Sequence, residues 1–170
     1  MKQFKTLLIA VSIILGGMLS ANAQDSKVAH IATQELIESM PEYQAAMSQL
    51  EKLQNTYTSD IDDLMKEAQN KNKQYQAEAS TKTDEENAAR AQELQATQQK
   101  IMQYRQNAQQ ELQKKENELI RPILEKARTA IQKVARQNNY DYVLDSTTGT
   151  GVILADGYNL MNDVQKELGI

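Results

Sequence analysis

His30 is the only histidine in the chain, and there is no cysteine. A lone imidazole without a thiolate or a second histidine makes neither a nucleophile–base pair nor a metal site. It is read as a structural side chain. The run Ser146-Thr147-Thr148-Gly149-Thr150-Gly151 lacks the lysine that a phosphate cradle places after its glycines, so it is read as a turn. Carboxylates are frequent, yet none falls in an apolar cleft that would raise its pKa for acid–base work. The residues therefore point away from an enzyme, and no cofactor or metal is expected. What remains is the chemistry of adaptable contact. Methionine changes shape to suit varied partners, and tyrosine offers an apolar face with a polar tip. Met47, Tyr57, Met65, Tyr75, Met102 and Tyr104 lie in the middle of the chain. Those at heptad spacing are explained by packing; Met65 and Met102 fall off that spacing. Lys71, Lys73, Lys82 and Arg90 gather in the same region, where a solvated helix face is the simpler reading.

These residues need long helices to carry them. Ser39 and Glu42 have capping-box spacing, with Pro41 in the first turn, so a helix is expected to start there. Met40, Tyr43, Met47, Leu50, Tyr57, Ile61, Leu64, Ala68 and Tyr75 then follow a three-four spacing. Gln54 and Lys71 fill two slots of this seam with polar groups. The helix reaches about Ala79, a length of about 60 Å. Thr83 and Glu86 repeat the capping-box spacing and open a second helix, with Leu94, Ile101, Tyr104, Ala108, Leu112 and Leu119 on its seam. An antiparallel hairpin is expected over a continuous rod, which would leave both thin seams without an internal partner.

The two ends of the chain differ from this middle. Residues 27–33 (KVAHIAT) read as a short strand covered on both sides. Beyond Pro122, which can kink the returning helix, a denser stripe of Ile123, Leu124, Ala127, Ile131, Val134 and Ala135 runs to Asn138-Asn139. "NYDYVLDSTTGTGVILAD" (residues 139–156) then reads as a β-hairpin with strands near Tyr142 and Gly151. Asn159 caps a final amphipathic helix that Gly169 stops. The expected fold is α+β and mostly helical. A small β-sheet body comes from residues 24–40 and 122–170, and a helical-hairpin, coiled-coil arm from residues 41–121.

The first residues are set apart. A basic start (Lys2, Lys5), an apolar run over residues 7–19 and the motif Ala21-Asn22-Ala23 read as a secretory signal peptide, residues 1–23, cleaved after Ala23. An uncleaved anchor is the alternative, but the apolar run is short for a membrane span. The leader holds two lysines and no acid, so its loss takes the net charge from −4 to −6. A chain this acidic is not expected to bind nucleic acid, and contact with an anionic membrane is disfavoured. Loss of the leader also removes the single Phe, and there is no Trp. Such a chain has little material for a conventional core, and three short strands make a meagre sheet. Self-assembly is the usual remedy.

A signal peptide, the segment KVAHIATQELIESMPEYQ, a long Gln/Lys/Glu-rich helical hairpin and the closing IQKVARQNNYDYVLDSTTGTGVILADGYNLMNDVQKEL together resemble the Skp/OmpH family of periplasmic chaperones. The likeness spans essentially the whole mature chain and is most specific in its last segment. It implies a homotrimer whose strands join in a small β-barrel, with helical arms around a cavity. It also implies ATP-independent holding of unfolded outer-membrane proteins in the periplasm. On that reading Val28, Ile31, Tyr142, Val143, Leu144, Val152 and Ile153 belong to the trimer body. The six Met and Tyr named above are then the candidates for client contact, and the four basic residues sit at the arm tip. Two departures stand out. The best-known members are strongly basic, whereas residues 64–106 here carry seven basic side chains against six acidic ones. The closing helix starts Gly157-Tyr158-Asn159-Leu160 where the family usually has Asp-Leu-Thr. The alternative function is a passive exported coiled-coil scaffold or adaptor of the cell envelope.

Overall fold

The computed structural model describes residues 26–170, so the expected leader lies outside the described residues. Strand β1 (Val28–Ile31) is followed by helix α1 (Thr33–Ser39) and helix α2 (Pro41–Glu78). A 3₁₀ turn (Ala79–Thr81) leads to helix α3 (Asp84–Gln137), then β2 (Tyr142–Asp145), β3 (Tyr158–Asn159) and helix α4 (Met161–Leu168). Among the described residues, no helix is long and apolar enough to cross a membrane.

The sheet has the order β2-β1-β3, and both pairings are parallel. This corrects the expected hairpin. Residues 146–157 are a long connection rather than a tight turn, and Val152 and Ile153 are not in a strand. The second partner of β1 is the two-residue β3, in register Ala29↔Tyr158 and His30↔Asn159. The turn reading of the glycines holds, since Gly149 and Gly151 take φ +92° and +95°, where a Cβ would be strained.

Capping logic succeeded at one helix start and failed at the other. Thr83 Oγ1 accepts the Glu86 amide at 3.2 Å, and the Glu86 carboxylate accepts the Thr83 amide at 3.0 Å. Ser39 instead ends α1, a helix not expected from the sequence, and its hydroxyl donates to the Leu36 carbonyl at 2.7 Å. Pro41 still opens α2, where its missing N–H costs nothing. Helix α3 runs through Pro122 for 54 residues and ends at Asn138, with Asn139 at φ 56°. Asn159 Oδ1 accepts the Met161 amide at 2.9 Å, and Gly169 closes α4 in the left-handed conformation.

The core sits at the sheet end of the molecule. Ile31, Leu36, Met40, Leu160 and Val164 are fully buried there. Ala127, Ala130 and Ala135 are buried on α3, and their small side chains let the neighbouring elements come close. Away from this end, α2 and α3 run side by side and antiparallel. Glu42 pairs with Lys126, Asp60 with Tyr104, and Glu78 with Arg90, so partner numbers rise on one helix as they fall on the other. The contact stripe of α2 passes through Ala46 and Leu53, not Met47 and Gln54, which face outward. The expected polar break at Gln54 is thus absent from the seam. The one at Lys71 is present.

Candidate functional site

Two surfaces collect the exposed apolar and tyrosyl side chains. The first is the sheet. Alternation along β1 sends Ala29 and Ile31 into the core, while Val28 stays 43% exposed. In the parallel register Val28 stands beside Tyr142 and His30 beside Leu144. Tyr142 is 60% exposed and Leu144 46%. One face of the sheet is therefore packed on helices and the other is apolar and bare, whereas parallel sheets are ordinarily covered on both faces. The residues expected in a shared body thus divide. Val28, Tyr142 and Leu144 lie on the bare face, Ile31 is in the subunit's own core and Val143 packs against it. Val152 is half-buried in the 146–157 connection and Ile153 is fully exposed.

His30 holds this connection at both ends. Its Nδ1 is 3.0 Å from Ser146 Oγ and its Nε2 is 3.1 Å from the Gly157 carbonyl. Asp145 anchors the same corner. Its carboxylate accepts the Thr33 hydroxyl at 2.6 Å, the Thr147 hydroxyl at 2.6 Å and the Thr147 amide at 2.9 Å. Burial pushes the Asp145 pKa up, but the Thr147 and Thr33 bonds outweigh it and bring the pKa down to about 2. These are positioning contacts. Among the described residues no cluster of His, Asp or Glu is placed to hold a metal.

The second surface is the helical pair. The structure separates the six Met and Tyr candidates. Tyr57 and Tyr104 meet edge to face across the seam, with ring centroids 6.1 Å apart, and the Tyr104 hydroxyl donates to Asp60 at 2.7 Å. Tyr75 donates to Glu93 at 2.6 Å, with the Arg90 guanidinium 4.5 Å above its ring. Met65 is half-buried beside Arg105. Only Met47 and Met102 face solvent freely, at 45% and 62% exposure. Met47, expected on the seam, faces outward because Ala46 takes its place; Met65, expected off it, is half-buried beside the seam residue Leu64.

The basic residues at the distal end are mostly engaged. Lys71 pairs with Glu93, Lys82 with Glu86 and Arg90 with Glu78. The Lys71 and Tyr75 bonds hold the Glu93 carboxyl below its usual range. Lys73 is exposed and makes no ion pair among the described residues. The four therefore do not form an open cationic patch.

Sequence reasoning passed over Tyr158 and Leu154. Tyr158 stacks on Tyr140 at 5.8 Å, and Lys27 lies 4.2 Å from the Tyr140 centroid. Leu154 is 75% exposed. The apolar triplet Val152-Ile153-Leu154 was the available signal, but it reads as a strand when a hairpin is assumed.

Comparison with known proteins places this geometry. A family model described as outer membrane protein (OmpH-like) matches residues 27–168. Proteins described as chaperone protein Skp, from Photorhabdus laumondii and Photorhabdus luminescens, are 26% and 27% identical to this chain over 165 residues. Each alignment covers 96% of this chain and 99% of the relative. A crystal structure from Caulobacter crescentus, described as a candidate OmpH-like outer membrane chaperone, matches with a TM-score of 0.75 at 18% identity. That match spans 85% of this chain and 86% of the other, and at such identity it speaks for the fold.

Proposed function

This chain belongs to the OmpH-like family of outer membrane proteins, and on that premise we propose that it is a periplasmic holdase. It assembles as a homotrimer and keeps unfolded outer-membrane proteins from aggregating without ATP. The observation that carries the reading is the bare sheet face of Val28, Tyr142 and Leu144, next to helices that pack only on the opposite face. An apolar parallel sheet left open to water needs a cover, and identical sheets from sibling chains supply one. Three copies joined there set three helical pairs, each an antiparallel coiled-coil arm, around a shared space. In that space Met47 and Met102 add many weak contacts with an unfolded chain, and confinement makes them additive. Tyr57, Tyr75 and Tyr104 contribute mainly to the arm itself, and Met65 only at its edge. The neutralised cations of the distal end favour apolar capture over electrostatic capture. Export rests on the leader of residues 1–23, with cleavage after Ala23.

The test mixes the leaderless protein with a urea-unfolded β-barrel membrane protein and dilutes out the urea while light scattering is followed. Suppressed scattering without nucleotide supports the holdase. Unchanged scattering at a several-fold excess of trimer assigns the chain to the scaffold class instead.

A further inference from the structure

Beyond the leader the chain has five methionines, and the fold sorts them by their access to solvent. Met40 is fully buried at the sheet end, and Met161 packs against the same core. Met65 is half-buried, and the Arg105 guanidinium donates to its sulfur. Met102 and Met47 are exposed, Met102 the more so. The methionines that pack the fold are therefore shielded, and the two that do not stand in water on the helical pair.

That sorting matters because of what the chain lacks. A thiolate is the side chain that ordinarily meets a peroxide ahead of a thioether, and this chain has no cysteine. It has no tryptophan either. Exposed thioethers are then the groups most open to a mild oxidant. Met65 is protected beyond its partial burial, because the sulfur lone pair that an oxidant must meet is engaged by Arg105.

We propose that Met102 and Met47 are reversible oxidation sites for a hydroperoxide, and that their sulfoxides weaken client capture while leaving the fold intact. The sulfur lone pair attacks one oxygen of hydrogen peroxide. An S–O bond forms as the O–O bond breaks, and the departing hydroxide takes the proton of the attacked oxygen to leave as water. Sulfur loses two electrons and the peroxide gains them. Each sulfoxide replaces a flexible apolar tip with a polar, chiral one. The adaptable contact with an unfolded chain is lost at that point, while Met40 and Met161 go on filling the core. A thiol-dependent sulfoxide reductase reverses the step, with the oxygen leaving as water and two thiols closing to a disulfide. The inference rests on the holdase reading, in which these two side chains touch the client, and adds a regulation to it.

The leaderless protein is titrated with hydrogen peroxide and its tryptic peptides are weighed. Met102 should gain oxygen first and Met47 next, with Met65 and Met161 later and Met40 last. Protein oxidised at 102 and 47 should be needed at about threefold higher concentration for the same suppression of scattering, the scale of a lost weak apolar contact. Its helical circular dichroism and melting temperature should not move. Sulfoxide reductase with dithiothreitol should restore the original suppression, and a cysteine-free chain gives dithiothreitol no disulfide to reduce. In Met47→Leu/Met102→Leu, judged against its own untreated sample, the same peroxide dose should shift suppression less than in the wild type. Equal suppression before and after oxidation of the wild type overturns the switch alone. So does a double variant that loses as much as the wild type, or an oxidation order led by Met40 or Met65. A fall in melting temperature does the same, since damage to the fold would then explain the loss. An untreated wild type that never suppresses scattering sinks the holdase reading, and the switch falls with it.

Discussion

Asp145 shows how much one side chain can organise. It joins the end of β2 to the start of α1 and to the first turn of the 146–157 connection. Its ionised form is the one these donors favour, since its pKa falls to about 2 from an ordinary 3.8. A depressed carboxylate contributes stability above its unfolded pKa and loses it as pH falls through the folded value. Asp145→Ala should therefore cost about 1–3 kcal/mol at neutral pH. The gap between wild type and variant in thermal unfolding should narrow between about pH 4 and pH 2. A gap that stays constant across that window would show that the carboxylate does not act through its charge. His30 works by reach instead. It touches both ends of the connection, so His30→Ala should speed hydrogen exchange at Ser146 and Tyr158 by about tenfold while the helices remain unchanged. The sequence identified His30 as structural because it stood alone. It could not show that Ser146 and Gly157 would be its partners, since 116 and 127 positions separate them from it.

At the scale of elements, the long helices and the strands near Val28 and Tyr142 were legible, whereas α1 and the pairing of the sheet were not. Thr83 and Glu86 announce α3 because a capping box is local, and the glycines at 149 and 151 announce a turn for the same reason. Parallel pairing between Val28 and Tyr142 leaves no local trace, and the two residues of β3 are too few to show a period. Counting heptads by size also missed two positions of the α2 stripe, choosing Met47 over Ala46 and Gln54 over Leu53, while Tyr43, Leu50, Tyr57, Leu64 and Ala68 fall where expected. The small Ala46 is what allows close approach there. The alanines of α3 act likewise at the sheet end. Ala127→Leu should overpack that layer and cost about 1–3 kcal/mol, against about 2–5 kcal/mol for the cavity left by Leu36→Ala. Chemical unfolding followed by circular dichroism measures both. The Lys71–Glu93–Tyr75 layer is a polar interruption of the seam. Leucine at both 71 and 93 should raise the melting temperature, since each half-buried leucine adds about 1 kcal/mol of apolar burial. An unchanged melting temperature would mean that the ion pair is as good as a hydrophobic contact at that layer.

For the whole molecule, the proposed self-assembly ties the bare sheet face to a concentration-dependent stability. If copies cover one another there, the melting temperature should climb steadily between about 1 and about 100 µM protein, and Tyr142→Asp or Leu144→Asp should flatten that dependence. A concentration-independent melt in the wild type would argue for a self-sufficient monomer. The central position of β1 has another outcome, in time rather than space. Its two neighbours lie more than a hundred residues downstream, at Tyr142 and Tyr158. Closing so large a loop from a disordered chain is entropically slow, whereas a helical hairpin zips through nearby turns and draws the distant ends together. The expected order of folding is therefore helical pair first and sheet second. Refolding after a denaturant jump should show early helix formation and a delayed protection of the Ala29 amide, with the delay lengthening whenever the zipper is weakened at Leu94 or Ile101.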